Sequence, residues 1–197
     1  MAFPTTPLLD NFNRTDEGPP PSANWDNDGL GGGQFKVSSN TCVTDGVAGY
    51  YYNIWNQYSG ADCEGYIKIT TKPVLSAWAA VFIRIQADAG DAYGILATTE
   101  AGTDTIQIIE AVDFSTTPLA TYNQEISNGD IIGIRCVGTT ITAFYNGVEL
   151  GSVTDATYAT GRVGIATIDP LAVLDDFGGG TVPFGIMTPR SGYWGDL

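Results

Sequence analysis

Residues 140–153 read TITAFYNGVELGSV, two short runs of alternating residues separated by Asn146-Gly147. Asn and Gly tolerate the positive φ of a two-residue type I′ turn, so this stretch predicts a tight β-hairpin. Further runs of β-branched and aromatic residues lie at 64–71, 79–86, 92–99, 105–112, 130–137 and 161–168, and weaker ones at 8–12, 34–38, 49–55 and 172–177. Together the runs predict an all-β, antiparallel two-sheet sandwich of about twelve strands.

Composition narrows the classes of function. The chain has 197 residues, with 22 acidic and 8 basic side chains and a net charge of -14. A single domain of this size buries about 70% of the surface that its unfolded chain exposes. Because the chain lacks a basic field, we expect neither nucleic acid nor a membrane surface as a partner. It contains no histidine, which excludes catalytic triads that use a histidine base.

The cysteines and the N-terminus indicate the compartment. Cys42, Cys63 and Cys136 are too few and too widely spaced for a thiolate zinc site. A Cys42–Cys63 disulfide in an oxidising space and three free thiols in a reducing cell both remain open, and we favour free thiols. The first residues lack a basic and apolar signal peptide, and no run of eighteen apolar residues occurs. We therefore expect synthesis in the cytoplasm without a signal peptide.

The two ends differ from the body of the chain. We predict an N-terminal arm at 1–7, a β-sandwich at 8–180 and an extended, Gly/Pro-rich C-terminal tail at 181–197. Residues 17–33 are rich in Pro, Gly and Asn and predict a surface loop pinned by Trp25. Apolar side chains in the ends are costly to leave in water. We expect five of them to dock onto neighbouring subunits, namely Phe3, Phe184, Met187, Tyr193 and Trp194.

The order of several motifs resembles a known superfamily. LLDNFNRTD at 8–16, Asn24-Trp25, GDIIGI at 129–134, TITAFYNG at 140–147 and LDDF at 174–177 are together similar to concanavalin A-like, laminin-G-like jelly-roll proteins. This resemblance implies a jelly-roll sandwich whose first and last strands are neighbours. The opening is similar to those of phage virion proteins, which implies a capsid decoration, tail or fibre role, a location in the virion and a homo-oligomeric or assembled state.

The resemblance also implies a metal site. Members of the superfamily often carry a structural calcium ion near the joined termini, and the matching positions are Asp10, Asp175 and Asp176. Carboxylate oxygens from two strands are suitable calcium ligands. The alternative is that these aspartates cap turns or face water.

An aromatic cluster predicts a second kind of site. Tyr50, Tyr52, Trp55 and Tyr58 lie close together in sequence, beside polar side chains. Flat rings of this kind suit sugars, which have apolar faces surrounded by hydroxyl groups. In a strand, Tyr50 and Tyr52 point to one face and Tyr51 to the other, so packing within the core is the alternative for part of the cluster.

Catalysis is not expected. A glycoside hydrolase needs a pair of carboxylates, and catalytic members of the superfamily place them as Glu-x-Asp-x-x-Glu on one strand. Glu110 with Asp113 is the nearest approach to that run. We therefore expect a non-enzymatic virion or surface structural protein. The alternative is a carbohydrate-binding, lectin-like module, and a glycoside hydrolase is the least favoured function.

Overall fold

The computed structural model describes residues 2–28, 32–47, 49–87 and 90–183. These ranges contain fifteen β-strands and no helix. Within them, therefore, no helix is long and apolar enough to cross a membrane. The predicted all-β class is confirmed.

The strands form two antiparallel sheets. The eight-stranded sheet contains β1 (Leu8–Asp10), β3 (Phe35–Ser38), β4 (Thr41–Thr44), β6 (Cys63–Thr71), β11 (Asp130–Val137), β12 (Thr140–Tyr145), β13 (Val148–Thr154) and β15 (Val173–Thr181). The seven-stranded sheet contains β2 (Trp25–Asp26), β5 (Tyr51–Ser59), β7 (Trp78–Ile85), β8 (Ala92–Thr98), β9 (Thr105–Val112), β10 (Ser115–Asn123) and β14 (Gly161–Thr167). The strand order is β13-β12-β11-β6-β15-β4-β3 in the first, where β1 also pairs with β15, and β10-β9-β8-β7-β14-β5-β2 in the second.

The main core lies between the sheets and follows the alternation of each strand. Ile67 and Ile69 of β6 point inward from one sheet, and Val81 and Ile83 of β7 from the other. All four side chains are fully buried. Trp25 also reaches this core, so the loop before it is pinned as predicted.

Two local predictions are confirmed. Asn146 and Gly147 have φ values of 49° and 80°, and they join Tyr145 directly to its partner Val148. The left-handed conformation that this turn needs is the reason for the Asn-Gly pair. The first and last strands are neighbours, since Leu8 pairs with Gly178 and Asp10 with Phe177.

Three short or irregular strands, β2, β4 and β10, fall outside the predicted runs. β10 contains Pro118, which cannot donate a backbone hydrogen bond, and its register shifts between Pro118 and Ala120. Proline is tolerated because β10 lies at the edge of its sheet. β2 and β4 are only two and four residues long, too short for alternation to identify them.

The three cysteines are free and buried. Cys42 and Cys63 lie on opposite sides of β15, where Cys42 pairs with Leu174 and Cys63 with Thr181. These partners are separated along β15 by about 23 Å, which exceeds the reach of a disulfide. Burial raises the pKa of the Cys42 thiol well above its usual range, which favours the protonated thiol.

The N-terminal arm packs on the outer face of the eight-stranded sheet. The Phe3 ring stacks on Phe144 at 4.0 Å and meets Tyr66 edge-on. Phe3 is only 8% exposed. It was predicted to dock onto a neighbouring subunit, but the structure places it on its own sheet, because Gly133 leaves room for the ring. The other predicted docking residues, Phe184, Met187, Tyr193 and Trp194, lie outside the described residues.

A buried ion pair holds the arm. The Glu64 carboxylate is fully buried and accepts hydrogen bonds from the backbone N–H groups of Thr5 and Thr6. Its other oxygen accepts a 2.7 Å hydrogen bond from Nε of Arg135. The Arg135 guanidinium also donates to the Ala2 carbonyl and lies 5.2 Å from the Phe3 ring centroid. Hydrogen bonds from the arm and the charge of Arg135 together offset the desolvation of the Glu64 carboxylate.

Replacing Glu64 tests this dependence. We expect Glu64→Gln to destabilise the fold by about 3 kcal/mol, because it leaves the Arg135 charge buried without a partner. For a domain of this size, that corresponds to a melting temperature about 6–12 °C lower, measured by circular dichroism. The exposed Glu149→Gln on β13 is the matched control. A Glu64→Gln melting temperature equal to that of the control would contradict the role of the pair.

Candidate functional site

The seven-stranded sheet is apolar on its outer face as well as on the face toward the core. On β5, Tyr51 points into the core, whereas Tyr52 and Ile54 point outward. On β7, Val81 points inward and Phe82 outward. The outward cluster consists of Tyr52, Ile54, Ala80, Phe82, Ile85, Ala92, Leu96, Ile109, Ala111 and Ala166, with Tyr50 and Trp78 packed against it. All ten residues of the outward cluster are at most 8% exposed, so they form a second, smaller core on this side of the sheet.

A cleft opens in this face, and we call it the aromatic cleft. Its cavity volume is about 40 Å³, and it opens to solvent at one side. Its lining residues are Tyr50, Tyr52, Asn53, Ile54, Phe82, Ile85, Gln86, Gly90, Ala92, Ala111, Phe114, Thr116 and Ile165. They come from six strands and the turns between them, so the cleft exists only in the folded sheet.

The β9–β10 turn supplies one wall of the cleft. Asp113 and Phe114 adopt φ values of 48° and 64°, which makes this another tight hairpin turn. The turn is attached to the loop before β8, because the Asp113 N–H donates to the Asp91 carboxylate at 2.9 Å. The Phe114 ring, 41% exposed, lies 5.9 Å from the Tyr50 ring and 5.7 Å from the Tyr52 ring.

Tyr50 and Tyr52 pack against the Phe114 ring and continue this wall. Their ring centroids are 5.6 Å apart, and Tyr50 also meets Trp78 edge-on at 5.5 Å. The Tyr52 hydroxyl donates a 3.0 Å hydrogen bond to the Asn27 carbonyl. Burial, reinforced by the charges of Asp28 and Asp26, raises the pKa of Tyr52 to about 12. The pKa of Tyr50 is also raised strongly by burial, so both rings act as neutral, largely apolar surfaces.

The structure divides the predicted aromatic cluster between three environments. Tyr50 and Tyr52 share the aromatic cleft, as expected for alternate residues. Trp55 faces the core, where it is 7% exposed and meets Trp25 edge-on at 5.3 Å. Tyr58 is 66% exposed at the edge of the sheet, and the Arg162 guanidinium, paired with Asp28, lies 5.6 Å from its ring.

Trp78, Phe82 and Phe114 are site residues that sequence reasoning did not identify. Phe82 lies in the run AAVFIRIQ at 79–86, which is apolar at both odd and even positions. A strand with apolar residues on both faces needs a cover on both. The apolar residues at both odd and even positions therefore indicated that Phe82 lies on a covered outer face. No local pattern indicates that Phe114 contacts Tyr50.

The three predicted calcium ligands are held by basic side chains instead of converging on an ion. Asp10 accepts hydrogen bonds from the Arg14 guanidinium and from Nε1 of Trp25, at 2.5 and 2.8 Å. Asp175 and Asp176 both pair with the Lys68 ammonium, at 3.6 and 3.3 Å. In the described part of the chain, no group of three Asp, Glu, Cys or His side chains is placed to hold a metal ion. These aspartates therefore do not fit a shared calcium site.

The carboxylates nearest to a catalytic run do not meet in the cleft. Glu110 is partly exposed on β9, and it lies on the core-facing side of the sheet, since its cross-strand partner Tyr93 and its neighbour Ile108 belong to the main core. Asp113 is exposed in the β9–β10 turn. Neither side chain lines the aromatic cleft.

Comparison with known proteins defines the fold. No protein-family model matches the sequence, and no curated protein is significantly similar to it. Among solved structures, carbohydrate binding module CBM66 from Bacillus subtilis has a TM-score of 0.63 at 16% identity, over 80% of this chain and 94% of that one. A prokaryotic β-1,3-1,4-glucanase (lichenase) from a mouse hindgut metagenome has a TM-score of 0.61 at 10% identity, over 88% and 98%.

A third similar structure is the exoplasmic/lumenal domain of VIP36 in its Ca²⁺- and Man3GlcNAc-bound form. Its TM-score is 0.61 at 13% identity, over 83% of this chain and 87% of that one. The chain therefore has the concanavalin- and galectin-like jelly-roll fold that the motifs predict. At these identities the similarity defines the fold alone, and the site has to be interpreted from its own residues.

The ionisation of Tyr52 tests the geometry of the cleft. Its pKa of about 12 lies above the value of about 10 for a free phenol. Protonation therefore favours the folded state, and this contribution is present below pH 10 and lost as the pH rises toward 12. We expect the difference in phenolate absorbance between wild type and Tyr52→Phe to have its midpoint near pH 12. A midpoint near pH 10, with circular dichroism showing an intact fold, would contradict burial of this ring.

Proposed function

We propose that this chain is a non-enzymatic carbohydrate-binding protein that holds a sugar in the aromatic cleft by stacking it on the rings. The observation that carries the proposal is the juxtaposition of Tyr50, Tyr52 and Phe114, brought within 6 Å of one another on an otherwise apolar sheet face. A concave site lined by aromatic rings, with a few polar groups at its edge, is the usual composition of a site for a small ligand.

The charge around the cleft favours a neutral sugar. The whole chain carries a net charge of -14, and Asp113 directly precedes Phe114 in the turn that lines the cleft. A negative field repels uronic, sialylated and sulfated glycans. Among the residues that the structure describes, the cleft is lined by no lysine or arginine that would compensate for an anionic ligand.

The comparisons support this function more than a structural role in a virion. Two of the similar structures are named for a carbohydrate-binding module and for a sugar-bound domain. Glucanases have the same fold, so the fold is compatible with both binding and hydrolysis. The lack of a Glu-x-Asp-x-x-Glu run in this sequence favours binding.

Loss of single rings tests the proposal. We expect a glycan array to identify a neutral glycan, and Tyr50→Ala and Phe114→Ala to weaken its binding about 10- to 100-fold in calorimetry, because each removes apolar surface from contact with the ligand. Tyr58→Ala is the matched control, since Tyr58 lies outside the cleft. Equal loss in all three variants, or none in the two cleft variants, would contradict binding in the cleft.

The same preparations separate binding from hydrolysis. As a carbohydrate-binding protein, the chain releases no reducing sugar from the glycan that it binds. Release that disappears in Glu110→Gln would instead identify a hydrolase.

A role in a virion or another assembly remains a second proposal, based on the sequence of the C-terminal segment. Residues 184–197 include Phe184, Ile186, Met187, Tyr193 and Trp194, which are costly to leave in water. On this proposal the chain docks through that segment, displays the sandwich outward and is located in the particle. Ending the chain after Pro183 should then leave a folded sandwich that no longer assembles. Normal assembly of the shortened chain, measured by sedimentation or particle binding, would exclude docking through this segment.

A further inference from the structure

We propose that the closed part of the aromatic cleft selects a ring with a hydroxyl-free surface, either the aryl group of an aryl glycoside or a deoxy or O-methylated sugar, over a fully hydroxylated hexose. This inference rests on the proposed function and specifies the class of ligand. The reason is that most polar side chains of the cleft already form hydrogen bonds within the protein.

The amide side chains of the cleft are committed to the fold. Asn53 is fully buried, and its Oδ1 accepts the Phe35 N–H at 2.8 Å. Its amino group donates to the Asp26 carbonyl and to the Gln34 side chain. The amino group of Gln86 donates to the carbonyls of Arg84 and Thr160, at 2.7 and 2.6 Å. Neither amide therefore has a donor left for a sugar hydroxyl.

The hydroxyl groups offer little more. Tyr52 donates its proton to the Asn27 carbonyl. The backbone groups of the floor belong to the ladders that join β5, β14, β7 and β8. Among the described residues, the side-chain groups of the lining that can still bond a ligand are the hydroxyls of Tyr50 and Thr116, the Tyr52 hydroxyl oxygen as an acceptor and the Oε1 atom of Gln86. A hexose offers more hydroxyl groups than these atoms can satisfy, and a buried hydroxyl without a partner lowers affinity.

The floor is shaped for an apolar ring. Ile54 and Phe82 supply large apolar surfaces, while the small side chains of Ala92 and Ala111 leave space beside them. Gly90 contributes to the opening, because a Cβ atom there would lie 2.7 Å from the Phe114 ring. The walls are the faces and edges of aromatic rings, which pack favourably against another ring or against C–H groups.

Matched glycosides test the selection with the full-length protein. We would titrate the methyl and phenyl β-glycosides of glucose, galactose and mannose, together with methyl 6-deoxyhexosides and phenol, by calorimetry or saturation-transfer NMR. For a given sugar we expect the phenyl glycoside to bind at least about tenfold more tightly than the methyl glycoside. The deoxyhexosides should bind more tightly than their parent hexosides. Comparison of the phenyl glycosides with the deoxyhexosides shows whether an aryl group or a deoxy sugar is the preferred apolar ring.

Two variants locate the effect. Phe114→Ala should abolish the phenyl preference, because it removes one wall of the cleft. Tyr58→Ala removes an exposed ring outside the cleft and should retain the preference. If Tyr58→Ala abolishes the phenyl preference or Phe114→Ala retains it, the inference is overturned.

The outcomes also separate the inference from the proposed function. Equal affinity for methyl and phenyl glycosides and for hexosides and their 6-deoxy forms, lost in Phe114→Ala, would overturn the inference and leave sugar binding in place. Binding of phenol but of no glycan on the array would support selection of an apolar ring and overturn the sugar-binding function. Binding of none of these probes would overturn both.

Discussion

The seven-stranded sheet has apolar side chains on both faces, and both must be removed from water. The inner face is covered by the eight-stranded sheet. Within the described part of the chain, the outer face has no second sheet over it and is covered instead by rings from its own turns and strand ends, chiefly Tyr50, Trp78 and Phe114. Side chains from a few turns cover less area than a sheet does. The aromatic cleft is the part of the outer face that they leave open.

The outer face of the eight-stranded sheet is closed differently. The chain's own arm crosses it, with Phe3 on Phe144 and the backbone of Thr5 and Thr6 bonded to Glu64. Because this carboxylate is fully buried, its contacts with Arg135 and the arm are needed to offset its desolvation. The terminal arm thus covers the outer face of the eight-stranded sheet, whereas the outer face of the seven-stranded sheet has a cleft. The proposed ligand site therefore lies on the seven-stranded sheet.

The few basic side chains are used mainly to compensate buried or crowded carboxylates. Five pairs illustrate this, namely Arg14–Asp10, Lys68–Asp176, Lys72–Asp104, Arg135–Glu64 and Arg162–Asp28. Arg84 is committed to the carbonyls of Ala61, Gly138 and Tyr158. The remaining acidic surface has few basic partners, which favours neutral ligands. The predicted calcium ligands Asp10, Asp175 and Asp176 are among the carboxylates that already pair with a basic side chain, Arg14 or Lys68.

The sequence alone determined the all-β class, most of the strands, the Asn146-Gly147 hairpin and the shared face of Tyr50 and Tyr52. Each of these depends on alternation or on turn residues a few positions apart, and such short-range signals survive without knowledge of the fold. Only the tertiary structure decided that Trp55 is core, that Phe3 packs on its own sheet, that Asp10 pairs with Arg14 and that Phe114 meets Tyr50. These contacts depend on which strands become neighbours, how the sheets curve and which charges meet, and no local pattern encodes the distance between residues far apart in the chain.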